Sequence, residues 1–222
     1  MVPHSLGLCG PPKNTSGVRA DCAPYSFDAR IWGPSPAGTH AATRLMPQCS
    51  MPIYALGDKT PSIDPTAFIH PDAVVIGQVI IGPTSSIWPG AVLRADHGKI
   101  MIGAGTSIQD GTVIHCTNTH DTIIGDNCVI GHGAHLEGCR IESGSLIGSH
   151  AVVLHNAVVG PTSLVGACAL VGNNKTVPPN ARALGVPAVI TEGRVTSADI
   201  EPAAQIYIAN ARWYSQDLRL LD

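Results

Sequence analysis

From Ile63 to Val177 an aliphatic residue returns at almost every sixth position, a period that leaves few folds open. The rungs run Ile63, Ile69, Val75, Ile81, Ile87 and Leu93, then Ile102, Ile108 and Ile114, then Ile124, Ile130 and Leu136. They finish with Ile141, Ile147, Val153, Val159, Val165, Val171 and Val177. Self-similarity at six residues marks a stacked solenoid, a parallel β-helix of hexapeptide repeats. Three strands of about six residues close one triangular turn, so about eighteen residues return the chain to the same face one strand spacing higher. Each rung points into the prism, and Ser, Thr, Ala, Val or Cys usually stands four residues after it. Because backbone ladders join successive turns, small stackable side chains suffice for the core. A chain that is 44% hydrophobic but 4% aromatic, with 24 Gly, suits that demand. The expected fold is an all-β solenoid.

Three spacings depart from the period. Leu93 to Ile102 carries three extra residues and Ile114 to Ile124 four, while Leu136 to Ile141 is one short. Extra residues in a solenoid are expected to leave as corner loops, where function concentrates. The first insertion carries Arg94, Asp96, His97 and Lys99; the second carries Thr117, Asn118, Thr119, His120 and Asp121. After Val177 the pattern breaks at Pro178 and Pro179. Ile200, Ala204, Tyr207, Ala211, Tyr214, Leu218 and Leu221 then recur at alternating spacings of four and three, one stripe of an amphipathic helix. Ser197, Asp199, Glu201 and Pro202 are start signals, without singling out the cap. The expected units are a solenoid over residues 51–195 and a helix packed on it over 196–222.

Residues 1–50 are rich in Pro, Gly, Ser and Thr and carry neither period, so they are expected to be disordered. Translation from Met51 would cost the solenoid nothing, which makes the extension dispensable; intact-mass measurement of the native protein tests that. A formal net charge of -3 with no Lys/Arg cluster argues against nucleic-acid binding. No apolar run is long enough to span a membrane, and the N-terminus lacks a secretory pattern, so a soluble cytoplasmic protein is expected. The seven Cys are scattered without a C-x-x-C pair, as buried reduced thiols would be.

His115 directly follows rung Ile114, and Glu137 follows rung Leu136 one turn higher, so the two should stack in one column. His132 stands two positions after Ile130, on the adjacent face. One copy cannot easily bring all three to a metal, but a second copy can offer its His132 across an interface. Solvent-facing roles are expected for His70, His150 and His155, and His135 falls at a corner in the register.

The ordered motifs Arg94-Ala95-Asp96, Ile108-Gln109-Asp110, Ile114-His115, Ile130-Gly131-His132 and Leu136-Glu137-Gly138-Cys139 resemble those of the γ-class carbonic anhydrase family. The resemblance runs from Pro52 to the C-terminal helix. It implies a left-handed parallel β-helix with a C-terminal α-helix, a homotrimer, and zinc, or iron or cobalt, at each interface, hydrating carbon dioxide to bicarbonate. By motif, His115 and His132 match ligands, the latter from the neighbouring subunit, and Gln109 matches the residue that orients the reacting group. Arg94, Asp96 and Asp110 match an interfacial charge network. Where the family has its remaining His ligand, this chain has Glu137. Two His and one Glu can hold a catalytic zinc, but the added negative charge should make bound water less acidic and the activity weaker. His97 or His120 could relay protons, imidazole being the side chain that titrates near neutral pH. Two alternatives remain: an inactive trimeric scaffold or binding protein, and an acyltransferase or thioesterase acting on coenzyme A esters.

Overall fold

The computed structural model describes residues 52–221, and the expectations for residues 1–50 lie outside that range. Among the described residues, twenty strands, mostly of two or three residues, are followed by one helix, Ser197–Asp217. Parallel pairing joins each turn to the next. Along one face Ile69 pairs with Ile87, Ile87 with Ile108, Ile108 with Ile130, Ile130 with Ile147 and Ile147 with Val165. Those steps are 18, 21, 22, 17 and 18 residues, so each departure from the period falls within a single turn and leaves the register of the next intact. This face is an 8-stranded sheet; the other two join into a 12-stranded sheet through the long strands Val74–Ile81 and Val92–Ile102, which turn a corner without breaking.

The rungs form the core. Ile87, Ile108, Ile130, Leu136, Ile147 and Val165 are all fully buried, and each contributes about 1.5–3 kcal/mol by leaving water. The small polar residues four places after a rung staple the turns together. Ser85 Oγ donates to the Gly103 carbonyl at 2.6 Å and accepts from the Thr106 amide at 3.0 Å. Thr106 Oγ1 repeats the pattern one turn higher with the Gly125 carbonyl at 2.7 Å and the Cys128 amide at 3.0 Å. At the corners the backbone turns through left-handed φ, repeatedly at Asn127, Asn156, Asn174 and Asn180, since Asn tolerates that conformation better than most L-residues.

The helix lies on the 8-stranded sheet, against strands Phe68–Ile69, Ser86–Ile87, Ser107–Ile108 and Val129–Ile130. Ile200, Ala204 and Ala211 are buried beneath it. Tyr207 and Tyr214 set their rings edge-on to Trp88 at 5.8 and 5.1 Å. Trp88 in turn directs its indole N–H to Ser86 and Ser107 hydroxyls. The cap residue is Thr196, whose amide and hydroxyl both donate to the Asp199 carboxylate at 2.8 Å. The predicted stripe overruns the helix: Leu218 and Leu221 lie beyond Asp217 and are exposed. No helix among the described residues is long and apolar enough to cross a membrane.

Three further expectations need correction. The first insertion does not leave as a loop: Val92–Ile102 stays extended throughout, and the added length is absorbed where pairing passes from Gly77↔Ala95 to Val79↔Ile100. His135 sits on strand His135–Glu137 and not at a corner; alternation sends the residues on both sides of the inward rung Leu136 to the outside. Cys116, Cys128 and Cys139 are buried free thiols as expected, but Cys168 is exposed, at a corner of left-handed φ.

Candidate functional site

The solenoid places Arg94, His115 and Glu137 in one column, for Arg94 pairs with His115 and His115 with Glu137 on successive strands. Their rungs Leu93, Ile114 and Leu136 fix the column from inside. His115 Nδ1 lies 2.9 Å from Glu137 Oε1 and its Nε2 lies 2.9 Å from Asp96 Oδ1. Both ring nitrogens therefore face carboxylates. Asp96 also pairs with Arg94. Burial pushes the Asp96 carboxyl up, but the His115 hydrogen bond and the Arg94 charge outweigh it and leave the group below its ordinary range. Glu137 is held low chiefly by the His115 hydrogen bond, against the upward push of burial, with further help from His155 and His135.

The two insertions brace this column. Gly98 approaches the second loop so closely that a Cβ there would stand 2.7 Å from both the Asp121 carboxylate and the Thr117 carbonyl. Asp121 Oδ1 accepts from the Lys99 amide at 2.7 Å. From the first turn, Lys59 Nζ donates to the backbone carbonyls of Asp96 at 2.5 Å and His97 at 3.2 Å. Asp96 is thus fixed along its backbone as well as through its side chain.

A second group sits where the 8-stranded sheet meets its corner. Asp110 and His132 occupy equivalent positions two residues past paired rungs Ile108 and Ile130. His132 Nδ1 lies 2.8 Å from Asp110 Oδ2, with both side chains half exposed. Gln109 beside them is almost wholly buried. Tyr207 reaches the same corner from the helix, its phenol pushed up by burial and by the Asp110 charge. Among the described residues, no hydrogen bond or ion pair joins His132 to His115 or Glu137, and no three His, Cys, Asp or Glu side chains of one copy converge to hold a metal.

Sequence reasoning placed Arg94, Asp96, Gln109, Asp110, His115, His132 and Glu137, and the structure gathers them into these two groups. It missed His155 and His70. His70 is largely buried, its side chain 13% exposed, and accepts from the Asp72 amide through Nδ1. His155 Nε2 is buried without a hydrogen-bond partner, 3.5 Å from Glu137 Oε1. Spacing gave no signal for it: the one-residue deletion shortens this turn to seventeen, pairing Leu136 with Val153, so Leu154 stacks on Glu137 and His155 stands one place further, at the corner. His135 Nε2 lies 3.5 Å from Glu137 Oε2. His120 directs Nδ1 to Thr119 Oγ1 at 2.8 Å and lies nearly parallel to the His155 ring. His97 is exposed on the outer edge of its strand.

No protein-family model matches the chain. Over 110 residues it is 46% identical to the carnitine operon protein CaiE of Escherichia coli K12, a match covering 50% of this chain and 56% of that protein. CaiE of Proteus sp. strain LE138 matches over the same length at the same identity, so the chain spans about half the length of the curated relatives it matches. Two solved structures extend much further. A Bacillus cereus protein described as a putative acetyltransferase is 32% identical with a TM-score of 0.72, over 74% of this chain and 96% of its own. A hexapeptide transferase family protein from Anaplasma phagocytophilum is 37% identical with a TM-score of 0.68, over 73% and 96%. With its six-residue rungs, parallel solenoid and packed helix, the chain belongs to the hexapeptide-repeat, left-handed β-helix family.

Proposed function

We propose that the chain is a cytoplasmic, homotrimeric acyltransferase working in the seam between copies, moving an acyl group from a coenzyme A thioester to an amine or hydroxyl acceptor. The observation that carries this reading is the Asp110–His132 pair. A carboxylate at Nδ1 fixes the imidazole's orientation and leaves Nε2 as the ring's other nitrogen, and the side chain is half exposed. That is the arrangement a general base needs. His132 takes the acceptor's proton as its nitrogen or oxygen adds to the thioester carbonyl. The tetrahedral adduct expels the coenzyme A thiolate, which receives the proton back from His132. Across the seam, Asp96 and Glu137, both held ionised, form a negative lip that favours an acceptor carrying an ammonium group. The names of the two long-range relatives support the same class. Release of free thiol from acetyl-coenzyme A in the presence of candidate amines tests it. His132→Ala should lose about 10²–10⁴-fold in rate, and a chelator should change nothing; turnover unaffected by His132→Ala refutes the proposal.

A second reading, hydration of carbon dioxide at a metal in the same seam, is favoured by the donors around Glu137. Imidazole nitrogen and carboxylate oxygen suit zinc, and iron or cobalt also, and the unpartnered buried Nε2 of His155 beside Glu137 is a donor with no other task. A bound divalent cation supplies Lewis acidity and an acidified water. The chain's part is to hold it with Glu137 and imidazoles of two copies, to orient the reacting oxygen through Gln109, and to lock the seam through Arg94 and Asp96. Glu137 should make hydration slower than at a site of three imidazoles. Stopped-flow carbon dioxide hydration by zinc-loaded native protein and Glu137→His tests this: faster turnover in the variant is expected, and no hydration by either contradicts it.

A further inference from the structure

The column motif makes His115 and Glu137 the obvious donor pair for a cation, but their distances point elsewhere. Bonds of about 2.0–2.1 Å to a tetrahedral zinc set neighbouring donors about 3.3 Å apart. His115 Nδ1 and Glu137 Oε1 stand at 2.9 Å, a hydrogen-bond distance, and the other nitrogen of His115 is engaged by Asp96. At the corner one turn higher stands His155; its side chain is 39% exposed, but its Nε2 atom is buried 3.5 Å from Glu137 Oε1 with no hydrogen-bond partner. We propose that Glu137 and His155 are the donors each copy offers a divalent cation, and that His115 is the residue that holds Glu137 in place.

The surroundings of His155 fit a built position. Its ring occupies space that only glycine leaves open: a Cβ at Gly138, where φ is +60°, would stand 3.2 Å from His155 Cδ2 and 2.9 Å from His120 Cβ. His120 from the second insertion lies nearly parallel to the ring, 6.3 Å away. The insertion loop, the glycine corner and the next turn therefore converge on one imidazole. His115 meanwhile has the role of a supporting group: it lies between Asp96 and Glu137 and aims the carboxylate toward His155. Such outer partners orient the residue that binds the metal. His135 Nε2 lies 3.5 Å from the other Glu137 oxygen, on the carboxylate's far side; its side chain is as exposed as that of His155, but only the His155 Nε2 is buried without a partner.

This inference rests on the second reading, that a cation is held at Glu137. The test uses the full chain with Zn²⁺ alone, by competition against a chromophoric chelator, and with Co²⁺ alone, by visible absorption. His155→Ala and His155→Asn, with fold and oligomeric state checked by circular dichroism and light scattering, should lose more than about 100-fold in Zn²⁺ affinity and change the Co²⁺ spectrum. His115→Ala should weaken binding by about 10–100-fold yet keep the native spectrum at saturating Co²⁺, because the donors are unchanged. A His155 variant with native affinity and spectrum, or a spectrum altered by His115→Ala alone, overturns the assignment while leaving the cation reading standing. A native chain that takes up neither ion overturns both.

Discussion

Replacing Gly77 with alanine isolates the contact that places Asp96. Gly77 pairs with Ala95 at the point where the register between Val74–Ile81 and Val92–Ile102 shifts to admit the first insertion. Two costs follow from the structure. Its φ of +78° lies in the left-handed region, where an L side chain costs about 1–2 kcal/mol. The added Cβ would also stand 2.9 Å from the Ala95 carbonyl carbon and closer still to its oxygen, a separation real Cβ atoms essentially never show. Ala95 is fully buried, so relieving the overlap means shifting packed backbone, at a further ~1–3 kcal/mol. Gly77→Ala should therefore destabilise by about 2–5 kcal/mol. Gly111 supplies the control: its φ is +66° and nothing lies within 4 Å of its Cβ position, so Gly111→Ala should cost only about 1–2 kcal/mol. Urea unfolding followed by tryptophan fluorescence measures both. Losses equal to within about 0.5 kcal/mol would refute the claim that the Ala95 contact governs this turn.

Ile130→Ala in the middle of the 8-stranded sheet removes three buried carbons, about 2.4 kcal/mol of transfer free energy at ~0.8 per methylene. The cavity left between Ile108 and Ile147 should raise the total to about 3–4 kcal/mol in urea titration; a loss below about 1 kcal/mol would mean that the column collapses to fill it. The Asp199 carboxyl is lowered by its bonds from Thr196, so its support of the helix is complete above about pH 4 and lost as pH falls through the lowered value. Asp199→Asn should abolish that acid step in near-ultraviolet circular dichroism, and identical profiles for the two proteins would contradict the cap. Burial pushes the Cys128 thiol up to about 11 and the Cys139 thiol up to about 12. Alkylation of native protein followed by peptide mapping should mark the Cys168 peptide and spare those of Cys128 and Cys139, and early labelling of either would show that the core opens.

The solenoid was legible because its rungs are spaced by geometry: a residue pointing into a three-sided prism recurs at every sixth position wherever the corner between carries no insertion or deletion. The stacking of Glu137 over His115 followed from the same period. What the period could not carry was the path of the chain outside the prism. Whether residues 94–99 loop out or stay extended depends on how Gly77 lets Ala95 approach, and on the Lys59 ammonium, 35 residues before Arg94. His155 looked like an ordinary solvent-facing corner residue because its partner is one turn away and its space is made by Gly138, an absence that no spacing rule reads. The helix stripe was right through Tyr214 and wrong at Leu218 and Leu221, for a spacing pattern continues after the backbone has stopped being helical.

The central claim is that the chemistry is divided between copies, with His132 supplied by one and the Asp96–His115–Glu137 column by the next. Co-refolding His132→Ala protein with Glu137→Ala protein in equal amounts measures this directly, using whichever turnover the native protein shows. Each inactive parent retains the half that the other lacks, so random assembly into closed rings makes about one seam in four complete, and about a quarter of native activity should return. Activity that stays at the level of the two parents would contradict a shared site and place the reaction within a single chain.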